Sequence, residues 1–157
     1  MRILYLLFAL VLISCQSTKN KPMTETICQE KFHCEAEFEK GKNLIEVQDG
    51  IGAMYLKTRV DENYDIMYMS VNSNDPNLAY AADLKSYKIS FSYPAQSELT
   101  RDKMSIYVQT FCKCDEAGVR KIDSFEVSRK KINSSEVTYI KSEAFSFLKD
   151  QTLVLKN

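Results

Sequence analysis

The chain has 157 residues, with 21 Lys and Arg against 21 Asp and Glu, and a single histidine. That length holds one domain with a real core. The lack of a basic excess argues against a nucleic-acid binder, which needs cations to neutralise phosphates. No apolar stretch beyond the first fifteen residues approaches bilayer length, so any attachment to a membrane is expected through a lipid.

The chain opens on Met1-Arg2, the unbroken apolar run Ile3 to Ile13, and Ser14-Cys15. A positive start, an apolar run too short to span and a small residue before the cut make an export signal over residues 1–14. Leu12-Ile13-Ser14-Cys15 resembles the lipobox of bacterial lipoprotein precursors. The resemblance covers residues 1–15 only. It implies that Cys15 is lipidated on sulfur, that the peptide before it is removed, and that the new amino terminus is acylated. It also implies the bacterial cell envelope. An aspartate after the cysteine tends to retain such proteins in the inner membrane, so Gln16 points to the outer one. Residues 15–26 then read as the lipidated cysteine and a flexible tether, polar and aperiodic with Pro22. Residues 27–157 read as one β-rich domain.

Alternation dominates the domain. Short extended segments are expected at Cys34–Glu39 and Leu44–Gln48, followed by Met54–Val60, where Met54, Leu56, Thr58 and Val60 share one side. Turns are expected at Lys40-Gly41-Lys42-Asn43, at Asp61-Glu62-Asn63, and at Asp49-Gly50, which signals a tight hairpin. Residues 64–71 (YDIMYMSV) are apolar on both sides and fit a central strand. Asn74-Asp75-Pro76-Asn77 before Leu78–Leu84 carries a cap, a proline at the first helical position and good helix formers, which predicts one short helix.

Tyr87, Ile89, Phe91 and Tyr93 alternate with Ser86, Lys88, Ser90 and Ser92, a half-buried strand. Further strands are expected at Val119–Val127, Glu136–Lys141 and Thr152–Lys156, with a turn at Glu116-Ala117-Gly118. Phe145–Leu148 fits either a strand or one helical turn. Arg129-Lys130-Lys131 reads as a solvated turn. The fold class is therefore all-β and mainly antiparallel, a β-sandwich or small barrel stapled by disulfides.

The staples are Cys28, Cys34, Cys112 and Cys114, an even number in an exported chain. Period 2 puts Met104, Ile106, Val108, Cys112 and Cys114 on one apolar strand face. The favoured pairing joins Cys28 and Cys34 each to one member of the Cys112/Cys114 pair, closing long loops worth ~4 kcal/mol apiece in chain entropy. The alternative, Cys28–Cys34 with Cys112–Cys114, needs a bond between i and i+2, whose side chains stand too far apart in an ordinary strand.

No catalytic set can be assembled. His33 is the one imidazole, without a recognisable nucleophile, and reads as a surface residue. Asp61-Glu-Asn63-Tyr-Asp65 opens like a calcium loop but has Ile66 for the glycine and Asn72 for the bidentate glutamate. Glu35, Glu37 and Glu39 form an acidic row on one strand side. Tyr55 and Tyr107 are outward by parity and candidates for a recognition surface. The four cysteines with Met67 and Met69 are soft ligands that suit copper, although methionines on apolar strands are normally core.

No enzyme, cofactor or resident metal is expected. The reading is a lipid-anchored, non-enzymatic envelope protein that binds a protein, peptide or envelope component, as inhibitors, immunity proteins and assembly factors do. Copper handling through the sulfur residues is the alternative.

Overall fold

The computed structural model describes residues 23–24, 28–73, 85–96 and 99–156. The signal, Cys15 and the short helix expected after Asn74 lie outside the described residues. Among the described residues nine strands run in chain order: β1 (Met23–Thr24), β2 (Phe32–Gln48), β3 (Met54–Ser73), β4 (Ser86–Pro94), β5 (Ser105–Phe111), β6 (Gly118–Lys121), β7 (Glu126–Ile132), β8 (Ser135–Lys141) and β9 (Thr152–Lys156). They form two antiparallel sheets, a five-stranded meander β2-β3-β4-β5-β6 and a four-stranded sheet β1-β9-β8-β7. The mainly antiparallel all-β class and the two-sheet arrangement agree with the alternation in the sequence. Among the described residues the only helical elements are single 3-10 turns, at Arg101–Lys103, Glu143–Phe145 and Lys149–Gln151.

The two sheets share one core. Met67, Met69 and Val71 of β3, Ile89 and Phe91 of β4, and Ile106 and Val108 of β5 meet Ile140 of β8 and Leu153 and Leu155 of β9. Phe145, Phe147 and Leu148, on and after the second 3-10 turn, close one end, with Phe147 stacked on Tyr87 at 4.4 Å between ring centres. Ser142 holds that turn: its hydroxyl accepts from the Ala144 N–H and donates to the Ser124 carbonyl. Phe145–Leu148 therefore resolves as a 3-10 turn leading to Leu148, which bridges Cys28.

Several expected turns are absent. Lys40–Asn43 lies inside the 17-residue β2, and Asp61–Asn63 lies inside the 20-residue β3. Register explains both. Lys40 pairs with Asp65 but Lys42 pairs with Val60, so Gly41 alone opposes the four residues from Asp61 to Tyr64. The polar, glycine-bearing composition marks a bulge and a bend, not a chain reversal. Gly41 takes φ +66°, and its N–H donates to Asp65 Oδ1 at 3.0 Å.

The segment expected as one strand at Val119–Val127 is split between sheets. It leaves β6 at Lys121, crosses with Ile122 and Phe125 buried, and enters β7. Arg129-Lys130-Lys131 is not a turn but the middle of β7, paired with Thr138, Val137 and Glu136. The reversal comes just after, at Asn133 and Ser134, both with positive φ (47° and 71°). A two-residue loop with both residues left-handed matches the twist of its flanking strands.

The cysteine pairing also differs from the favoured expectation. Cys28 bonds Cys34, and Cys112 bonds Cys114. The expectation assumed that the strand ran on through Cys114. It stops at Phe111, and residues 112–114 bend, which brings the Cα atoms of Cys112 and Cys114 to 5.3 Å, within ordinary disulfide reach. Neither bond links β2 to β5.

Candidate interaction surface on the β2–β3 arm

Beyond the bend, residues 42–48 of β2 and 54–60 of β3 form a two-stranded arm that β4 does not pair. The arm lies back over the outer face of the five-stranded sheet. Leu44 and Leu56 pack there against Ile66, Tyr68, Tyr107 and Val119, a second and smaller apolar cluster. This explains why Ser90 and Ser92, expected on a wet face of β4, are buried. The Ser92 hydroxyl donates to Asn43 Oδ1 at 2.6 Å.

Tyr107 lies beneath the arm and is only 3% exposed, a correction to its expected outward role. Parity placed its face correctly, but the arm covers that face. Its hydroxyl donates to Glu46 Oε1 at 2.8 Å, and Lys121 Nζ meets the same oxygen at 3.2 Å. Those two hydrogen bonds, from Tyr107 first and then Lys121, lower the Glu46 pKa below its ordinary value. Burial pushes the Tyr107 phenol up to about 12, reinforced by Glu46. At the bend, burial opposes the charge on Asp61, but hydrogen bonds from the Asn63 N–H and amide and from Asn43, with Arg59 at 3.5 Å, hold its carboxyl below the usual range. The Asp61–Asp65 segment is thus the corner of the arm and not a calcium loop.

The arm ends in an ordered loop of five residues, longer than the tight turn expected from Asp49-Gly50. Asp49 Oδ1 accepts from the N–H groups of both Ile51 and Ala53 at 2.9 Å, and Gly52 (φ +86°) closes the turn by donating to the Asp49 carbonyl. The side chain of Asp49 replaces the solvent that those N–H groups would otherwise need. This loop carries Ile51 into solvent at 91% exposure. Register puts Ile45, Val47, Tyr55 and Lys57 on the arm face opposite Leu44, Glu46 and Leu56. Tyr55 is 37% exposed, with the Lys57 ammonium 5.5 Å from its ring centre, and Val60 is 80% exposed at the base. Tyr55 and Arg59 are of the residue types enriched at protein-recognition surfaces.

The other expected residues are placed as follows. His33 is 58% exposed, its Nε2 3.1 Å from Glu35 Oε1, on the outer face of β2. Glu35 and Glu37 are exposed on that same face, with Glu39 half-buried and 3.2 Å from Lys42 Nζ. Met67 and Met69 are fully buried in the main core, and the cysteines that would accompany them as ligands are oxidised in pairs. Among the described residues no three His, Cys, Asp or Glu side chains are placed to hold a metal ion. A cleft of about 970 Å³ opens where the chain crosses from β6 to β7, lined by Arg101, Arg120 and Lys141 interleaved with Asp123, Glu126 and Glu143. Its charges alternate in sign, and the Arg101 guanidinium is already engaged by the Asp123 carbonyl and the Phe125 ring.

No family model, no curated protein and no solved structure matches this chain.

The arm is the feature that sequence reasoning missed. Its signal was present in the paired polar interruptions, Lys40–Asn43 and Asp61–Asn63, which stand opposite one another across a single hairpin.

Proposed function

We propose that this chain is a bacterial envelope lipoprotein, anchored through Cys15, whose β-domain binds a protein partner through the tip and outer face of the β2–β3 arm. The observation that carries the reading is Ile51: a branched aliphatic side chain, 91% exposed, on a loop that Asp49 holds by two hydrogen bonds. Those bonds fix the loop backbone that carries Ile51, and burying its side chain against a partner would contribute roughly 1.5–3 kcal/mol. Tyr55 adds apolar area on the outer face of the arm. The export signal and lipobox resemblance give the address, and Gln16 favours the outer membrane.

The test is capture from detergent-solubilised envelope with wild-type protein and with Ile51→Asp and Tyr55→Ala. A partner held by wild type and lost at least ~10-fold in both variants, with the fold intact by circular dichroism, supports the reading. Equal capture by all three proteins refutes it. The anchor is tested separately by detergent phase partitioning. Wild type enters the detergent phase and Cys15→Ser does not, whereas a wholly aqueous wild type rules out lipidation.

A further inference from the structure

The two disulfides do different jobs. Cys28–Cys34 ties the segment before β2 to that edge strand, and both of its cysteines pack against the main core. Cys112–Cys114 ties the chain to itself across one residue, in the six-residue loop between Phe111 and Gly118. It belongs to neither apolar cluster. Both cysteines are half-buried, and their neighbours Phe111, Lys113, Asp115 and Glu116 are exposed.

A bond that closes so small a ring removes little entropy from the unfolded chain, so it adds little to stability. The β5–β6 hairpin is held independently, by the pairing of residues 107–110 with 118–121, by the Ala117 N–H donating to the Cys114 carbonyl, and by the Lys85–Glu116 ion pair at 3.2 Å. Opening the disulfide therefore leaves the fold standing. Lys113 stands between the two sulfurs in sequence as a positive charge, with Asp115 opposing it and Glu116 engaged by Lys85.

We propose that Cys112–Cys114 is a redox-active disulfide that exchanges with cysteine thiols of peptides or proteins. A substrate thiolate attacks one sulfur. The S–S bond breaks, its electron pair leaves on the other cysteine as a thiolate, and a mixed disulfide forms. A second substrate thiolate then attacks the mixed disulfide at the substrate sulfur. This releases an oxidised substrate pair and leaves Cys112 and Cys114 as a dithiol. Two electrons pass from the substrate dithiol to the protein, and the two substrate protons end on the Cys112 and Cys114 thiols. The exposed ring of Phe111 at the loop offers apolar contact to an unfolded segment. This activity is independent of the arm, which lies on β2 and β3.

The experiment uses the full chain purified in detergent, treated with graded dithiothreitol, alkylated and mapped by peptide mass. Cys112 and Cys114 are expected to be labelled at least ~10-fold faster than Cys28 and Cys34, with unchanged far-ultraviolet circular dichroism. With Cys114→Ser, oxidised glutathione is expected to leave a glutathione adduct on Cys112, the stable counterpart of the mixed disulfide. Equal opening of both bonds, earlier opening of Cys28–Cys34, or opening of Cys112–Cys114 only as the chain unfolds would overturn the proposal. So would a Cys114→Ser protein that folds but takes up no glutathione.

Discussion

The Tyr107 hydroxyl donates to Glu46 Oε1 at 2.8 Å, joining positions 61 apart in the sequence. It is the polar pin between the arm and the sheet beneath it. A hydrogen bond to an ionised acceptor contributes roughly 1.5–3 kcal/mol when buried, and less where the acceptor is half in water, as Glu46 is. Tyr107→Phe is expected to cost about 1 kcal/mol and to speed hydrogen exchange in residues 42–48 and 54–60 while the main core keeps its protection. A double-mutant cycle with Glu46→Gln checks the pairing. Additive effects of the two substitutions would mean that the bond does not hold the arm.

Alkali is expected to weaken the domain through its phenols. Burial raises Tyr68, Tyr93 and Tyr107 to about 12 each, with Glu39, Asp65 and Glu46 adding negative charge beside them. A raised folded value means that stability is fully present below the unfolded value of 10.0 and is lost as pH rises from 10.0 toward about 12. Thermal midpoints across that window, read with phenolate absorbance, give the sign. Tyr107→Phe should lose less stability over the window than wild type, and an equal or larger loss would count against the assignment.

The β7–β8 loop stores strain at Ser134, a residue with a side chain at φ +71°. Glycine takes that conformation without a steric cost. Ser134→Gly is expected to stabilise the domain by about 0.5–1 kcal/mol, a rise of a few degrees in Tm by calorimetry. A fall in Tm would show that the left-handed conformation is not held in solution.

His33 is exposed on the outer face of β2 and touches one carboxylate, that of Glu35. Exposed pairs of this kind contribute little. His33→Ala should shift stability by less than about 0.5 kcal/mol in chemical denaturation and leave partner capture unchanged. Loss of capture would move the binding surface from the arm to the acidic edge of β2.

Local chemistry made much of the fold legible in advance. The alternation in residues 86–93 and 152–156 identified β4 and β9, because side chains on a strand point to alternate faces and an apolar face therefore repeats every second residue. The run at 64–71, with apolar residues on both sides, identified the central part of β3, which is paired on both sides. The methionines Met67 and Met69 sit in the core, as thioethers on apolar strands usually do.

Composition alone set the charge balance. It also set the even complement of four cysteines in the domain. Tertiary structure decided whatever depended on covering or ending an element. Whether Tyr107, Ser90 and Ser92 were wet or dry depended on an arm folding over them, and no periodicity within β4 or β5 carries that information. The cysteine partners depended on where β5 stopped: three residues further of extended chain would have held Cys112 and Cys114 apart, and the bend after Phe111 brought them within reach. The polar segments at 40–43 and 61–63 marked a change of direction correctly in the sequence, but only their pairing across one hairpin made that change a fold-back and not two turns.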